Sequence, residues 1–150
     1  MYVCVRQLAL PGVRRERSFL NMNDDSGEPA VRKFYDSLSA HDPAGLHAAL
    51  HEDFVLTLSP GLPLPVDREF RGRESAIRNV WGRLSKGVEL RCEPDRRLPV
   101  APGEFVVLGH YRGDGWQAPF AHVVTTRDGK IVSLRQITDT RCWPDLTAAL

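Results

Sequence analysis

The strongest constraint in this sequence is a two-residue turn, Asp128-Gly129, set between two long runs that read as strands. Asp-Gly tolerates the positive φ that a tight hairpin requires, so residues 116–127 and 130–140 are expected to pair antiparallel. Gly113-Asp114-Gly115 repeats the device and joins 116–127 to a strand near 104–112. A further strand is expected near 88–93. The second half of the chain is then a four-strand meander, and an antiparallel sheet of this kind must bury one face.

The first half supplies what covers that face. Val31, Phe34, Tyr35 and Leu38 fall at i, i+3, i+4 and i+7, one side of a helix. Ser26 suits its cap and Pro29 its first turn. Asp42-Pro43 opens a second, short helix lined by Leu46, Ala49 and Leu50, and Phe54 to Leu58 reads as a strand. Residues 59–72 carry Pro60, Gly61, Pro63 and Pro65 and form a long loop, of the kind that is often functional. A third helix over 73–86 presents Ile77, Val80, Trp81 and Leu84, with Gly87 as its stop. The expected fold is an α+β domain over residues 26–150, a curved antiparallel sheet wrapped around three helices with a cavity at its open end. Residues 1–25 are polar and turn-rich beyond a short charge run at Val13 to Arg17, and are expected to be a disordered arm dispensable for folding. Met22 is an alternative start.

Composition removes several functions. Lys and Arg number 20 against 19 Asp and Glu, a net charge of +1, which leaves no basic footprint for nucleic acid and none for a membrane surface. No apolar run is long enough to span a bilayer. Arg6 and Pro11 break the apolar start, and Arg14, Arg15 and Arg17 stand where a signal cleavage site would fall. Cys4, Cys92 and Cys142 fit no zinc spacing and point to reduced thiols in the cytoplasm. His47 and His51 lie four apart but lack a matched third ligand, so no metal is expected. No phosphate loop or dinucleotide fingerprint is present.

Three groups of residues carry a family resemblance. The first is Phe34-Tyr35, His41-Asp42-Pro43 and Leu50-His-Glu-Asp-Phe54-Val55. The second is Phe70-Arg-Gly72-Arg-Glu-Ser-Ala-Ile77. The third is Ala118-Pro-Phe-Ala-His122, Arg127 to Val132 and Gln136-Ile-Thr-Asp-Thr140. In this order and spacing they resemble the SnoaL-like, ketosteroid-isomerase-like branch of the nuclear-transport-factor-2-like (NTF2-like) superfamily, over roughly residues 28–143. The resemblance implies a cone-shaped roll, an apolar pocket and commonly a homodimer through the outer sheet face. It implies proton-transfer chemistry on a hydrophobic small molecule without cofactor or metal, in polyketide cyclases, isomerases, dehydratases and epoxide hydrolases. Some members bind without catalysis, or serve as dimerisation modules.

Strand parity sorts the candidate site residues. Phe120, His122 and Val124 share one face, and Leu134, Gln136 and Thr138 share another. His122 is the first acid–base candidate, at the polar position used by SnoaL-like cyclases. Gln136 stands where those cyclases often carry aspartate; it cannot abstract a proton but can hold an oxyanion. The ketosteroid isomerase pattern fails at its base, which would fall at Leu58 or Ser59. Asp139 is the remaining carboxylate near the last strand. It would activate water in an epoxide hydrolase if a bulge at Thr138 turned it inward; strict alternation leaves it outside, pairing with Arg135 or Arg141. Tyr111 is expected to orient a carbonyl, and Phe34, Tyr35, Leu58, Trp81 and Phe120 to bind substrate.

Overall fold

The computed structural model describes residues 27–148. The expected arm and the Ser26 cap lie outside the described residues. Helix α1 spans Glu28–Ser39 and buries Ala30, Val31, Phe34, Tyr35 and Ser37. Gly27, at φ 83°, occupies the cap position without a side-chain cap. Helix α2, Pro43–Ala49, starts as its sequence dictates: the Asp42 carboxylate accepts from the Gly45 amide at 3.0 Å, and Pro43 takes the first turn. Helix α3 covers residues 73–87 in three joined segments: α-helical Arg73–Ala76, a π turn at Ile77–Trp81, and α-helical Gly82–Gly87.

Six strands follow the order β2-β1-β6-β5-β4-β3 across one sheet. They are β1 Leu50–Thr57, β2 Glu69–Arg71, β3 Arg91–Ala101, β4 Glu104–Gly113, β5 Trp116–Arg127 and β6 Lys130–Thr138. The β5–β6 hairpin closes on Asp128-Gly129, whose φ values are 54° and 71°, and β4–β5 closes through Gly113↔Trp116. The curved sheet stays open, with the helices on its inner face.

Three features depart from the sequence reading. β1 begins at Leu50 rather than Phe54 and runs parallel to β6, so the sheet is antiparallel everywhere except at this pair. Residues 69–71, read as loop, pair with β1 as a short edge strand. β3 starts later than expected and extends to Ala101, through Pro94 and Pro99. Proline lacks the amide that a ladder needs; β3 tolerates two because it is the sheet's other edge. The core lies between the helices and the inner face, where Phe54, Leu56, Phe105, Val107, Val124, Ile131 and Leu134 are buried with Val31, Phe34 and Tyr35.

Candidate active site

A cavity of about 320 Å³ opens between the helices and the sheet. Phe34 and Leu38 of α1, Leu46 of α2 and Ile77, Val80, Trp81 and Leu84 of α3 form its helical wall. The π turn carries three of these α3 residues, and such turns widen a helix where side chains must be re-aimed. Leu56, Leu58, Leu134 and Trp143 form much of the opposite wall, Leu62 and Leu64 of the long loop line it, and His41 and Lys86 stand exposed at the rim. Among the described residues no Asp or Glu lines the cavity.

Besides Ser37, Ser85, Cys92 and the rim residues, the lining carries one connected polar cluster: Tyr111, His122 and Gln136. Alternation along β5 turns Ala118, Phe120, His122 and Val124 inward, and His122 sits directly opposite Gln136 across the β5–β6 ladder. His122 bonds two tyrosines: Nδ1 meets the Tyr35 hydroxyl at 2.7 Å and Nε2 the Tyr111 hydroxyl at 2.6 Å. Gln136 Nε2 donates to the Tyr111 oxygen at 2.8 Å. The Gln136 amide is held in this sense by Ser59, whose backbone N–H donates to Oε1 at 3.2 Å. The Ser59 hydroxyl donates to the Gln136 carbonyl at 3.0 Å and accepts from the Thr138 amide. Phe120 stacks on the imidazole with centroids 4.0 Å apart and planes within 13°.

Burial pushes the His122 pKa down to about 3, so the ring is neutral at neutral pH. Burial likewise raises both phenols well above their ordinary value. Cys92 adds to the rise at each; the Gln136 hydrogen bond lowers Tyr111, and Arg97 lowers Tyr35. A neutral imidazole has one donor and one acceptor, which leaves two ways to orient the chain. If Nδ1 donates to Tyr35, the Tyr35 O–H is left without an acceptor among the described residues, at a side chain 2% exposed. If Tyr35 donates to Nδ1, then Nε2–H donates to Tyr111, whose lone pairs are filled by His122 and Gln136. The spare proton is then that of Tyr111, at the cavity wall. Tyr111 is itself only 6% exposed, but unlike Tyr35 it borders the cavity, where water or a ligand can accept its proton, and this favours the second orientation. The site presents the Tyr111 O–H as a hydrogen-bond donor to an acceptor oxygen in the cavity.

The sequence candidates separate on this geometry. His122, Gln136, Tyr111, Phe34, Leu58 and Trp81 line the cavity. Tyr35 and Phe120 do not; they form the layer against which His122 is held. Asp139 does not line the cavity, as strict alternation has it and against the alternative of a bulge at Thr138 that would turn it inward as a base. β6 ends at Thr138, and the Asp139 carboxylate caps the turn Thr140–Cys142 and pairs with Arg141 at 3.1 Å. Those contacts with Arg141 lower its pKa. His47 pairs with Glu74 at 3.0 Å and His51 faces Asp53 and Asp128 at 3.8 Å. Among the described residues no group of three or more ligating side chains gathers for a metal. Sequence reasoning missed Ser59 as the residue that fixes Gln136. It also missed Trp143, which packs on Tyr111 at 4.9 Å and lines the cavity. A single tryptophan beyond the last strand was the available signal.

Comparison with known proteins agrees with this architecture. An NTF2-like protein from Burkholderia thailandensis is 26% identical, with a TM-score of 0.69 over 78% of this chain and 93% of that one. A putative polyketide cyclase from Sinorhizobium meliloti is 20% identical, with a TM-score of 0.62 over 73% and 94%. TerC, crystallised with polyporic acid, is 21% identical, with a TM-score of 0.69 over 77% and 93%. No curated protein gives a significant match. The description of the SnoaL-like domain matches residues 31–134, more than half of the chain, and the chain belongs to that family.

Proposed function

We propose that the cavity takes a hydrophobic, oxygenated small molecule and that the Tyr111–His122–Gln136 cluster acts on its carbonyl oxygen. The reaction class is a cofactor-independent cyclisation, isomerisation or dehydration of a polyketide-like carbonyl compound. The observation that carries this reading is the hydrogen-bond count, which in the favoured orientation leaves the Tyr111 O–H unspent at the wall of a mostly apolar pocket. Donors aimed at a position where negative charge develops, in a site shielded from water, stabilise that charge strongly. His122 replenishes the Tyr111 proton. Crystallisation of the similar TerC with polyporic acid supports a cyclic oxygenated ligand, and the name of the Sinorhizobium meliloti protein supports polyketide-like chemistry.

A second reading, a non-catalytic binding module, has its own observation: among the described residues no carboxylate lines the cavity to abstract a carbon-bound proton. Deuterium exchange at the α-carbon of a bound bicyclic ketone such as 2-tetralone separates the two, with affinity followed by the fluorescence of Trp81 and Trp143. The catalytic reading expects exchange that falls by about a hundredfold or more in both His122→Ala and His122→Gln, the usual size of acid–base catalysis, on samples whose melting curves show them folded. Binding without exchange in the unaltered protein gives the binding module, and full exchange per folded molecule in both variants removes His122 from the chemistry. We further propose that the protein is a cytoplasmic homodimer paired through the outer sheet face. No helix among the described residues is long and apolar enough to cross a membrane.

A further inference from the structure

The hydrogen-bonded chain that begins at the cavity wall ends, on the far side of His122, beside an arginine. Cys92 and Pro94 of β3 face Tyr111 and Gly109 of β4; the register then shifts between Pro94 and Arg96, and beyond it Arg97 stands opposite Val107. A bulge of this kind re-aims the side chains that follow it. Val107 is opposite His122, and His122 opposite Gln136, so Arg97 belongs to the inward-facing rung of the site. Its guanidinium carbon lies 6.0 Å from the centre of the Tyr35 ring. Its Nε is buried without a hydrogen-bond partner. Six other arginines pair with carboxylates, and among the described residues Arg97 does not. Arg97 as a whole is half-buried, but this one N–H, withdrawn from water and left unpaired, is unfavourable unless an acceptor arrives beside it.

We propose that Arg97 is the counter-ion at the far end of a proton relay, Tyr35–His122–Tyr111, and steadies the charge that Tyr35 acquires when the relay fires. The inference rests on the catalytic reading above. The step balances without a co-reactant. A ligand enolate or alkoxide oxygen takes the Tyr111 proton. Tyr111 takes the proton from His122 Nε2, and His122 Nδ1 takes the proton from Tyr35. Three O–H or N–H bonds break and three form. The negative charge moves from the ligand oxygen to the Tyr35 oxygen, and His122 stays neutral with its tautomer reversed. This suits a ring that burial keeps neutral, since no imidazolium forms. The groups around Tyr35 pull in opposite directions: Cys92 and Tyr111 oppose its ionisation as burial does, and Arg97 favours it.

The ionisation of Tyr35 tests this in the full chain without any ligand, so the result stands whether or not the cavity turns over a ketone. Tyrosinate absorbance near 295 nm is followed against pH, and the curve of Tyr35→Phe is subtracted. Labelling with 3-fluorotyrosine lowers the phenol pKa and brings the transition into a range where the fold persists. Arg97→Gln is expected to raise the Tyr35 midpoint by about one pH unit, at the lower end of what an adjacent opposite charge does. Arg97→Lys, which keeps the charge and the stem, is expected to recover at least half of that. Circular dichroism on the same samples establishes the fold, with Arg97→Lys as the variant least able to disturb it. Equal midpoints in Arg97→Gln and the unaltered protein overturn the proposal. A midpoint in Arg97→Lys as high as in Arg97→Gln does the same, because it makes the effect one of shape and not of charge.

Discussion

At the scale of the residue, the site is a histidine kept uncharged by its surroundings and wired between two phenols. Its folded pKa of about 3 lies below the ordinary value of 6.5. Between those two pH values the unfolded chain binds a proton that the native state does not. Stability therefore rises with pH across that window and is lost as pH falls through it, by about 1.4 kcal/mol per pH unit for one such group. Urea midpoints measured from pH 7 down to pH 4 should show this slope, and His122→Gln, which has nothing to titrate, should flatten it. A slope unchanged by the substitution would place the acid sensitivity in other groups. Much of this residue-level picture was legible in the sequence. Parity grouped His122 with Phe120 and Val124, and Gln136 with Leu134 and Thr138; the structure adds that the two are direct cross-strand partners. The contact between His122 and Tyr35 was not legible, because α1 meets the sheet at an angle that helical periodicity does not encode. Asp139 was ambiguous for a related reason: alternation ceases where the strand ends, and only the turn after Thr138 shows that its carboxylate serves as a cap.

At the scale of the element, legibility followed the strength of the local turn chemistry. The hairpins at Asp114-Gly115 and Asp128-Gly129 were readable because glycine and aspartate announce the backbone they need. The pairing of β1 with β6 joins segments some 80 residues apart without a turn between them, so no local signal could announce it. β3 was cut short because Pro94 and Pro99 argue against a strand in any position but an edge. That loss also hid Arg97, whose inward aim depends on the bulge between those prolines. The same stretch makes a prediction about Gly109 on β4. A Cβ there would fall on the Glu93 carbonyl oxygen, the Phe120 ring and the Pro94 backbone. Phe120 is the face on which His122 stacks, so Gly109→Ala cannot be absorbed without displacing the imidazole or the edge strand. The expected loss is about 1–3 kcal/mol, the usual penalty of overfilling a packed site, seen as a melting temperature lower by several degrees. Because Phe120 moves with the added methyl, the Tyr35–His122–Tyr111 bonds should loosen as well. The imidazole 15N resonances, which separate the two tautomers, should then show a mixture where the unaltered protein is expected to show the Nε2–H form. An unchanged melting curve and a single tautomer in Gly109→Ala would mean that β3 yields at no cost.

At the scale of the whole molecule, the unanswered surface is the outer face of the sheet. The inner face is covered by three helices; no described element covers the outer one. Leu108, Ala121 and Ile137 form one rung across β4, β5 and β6, and Val106, Val123 and Arg135 form the next. Leu108, Val123 and Ile137 are 36%, 37% and 49% exposed, large apolar side chains gathered in one strip. Strips of this kind mark association surfaces. The flanks say what sort of partner fits. Arg96 lies beside Leu108 on β3, and Asp95 bonds His110 at 2.7 Å on the same edge. The apolar strip is thus bordered by both signs of charge, as suits a second copy of the same face turned through a two-fold axis, where each sign can meet its opposite. Light scattering at micromolar concentration should give about twice the chain mass. Ile137→Lys places a charge at the most exposed point of the strip, far from the cavity, and should yield a monomer that keeps its circular dichroism spectrum and its affinity for a cavity ligand. If the unaltered protein is a monomer across the accessible concentration range, the strip is not a self-association surface. If Ile137→Lys remains dimeric, the two copies meet elsewhere.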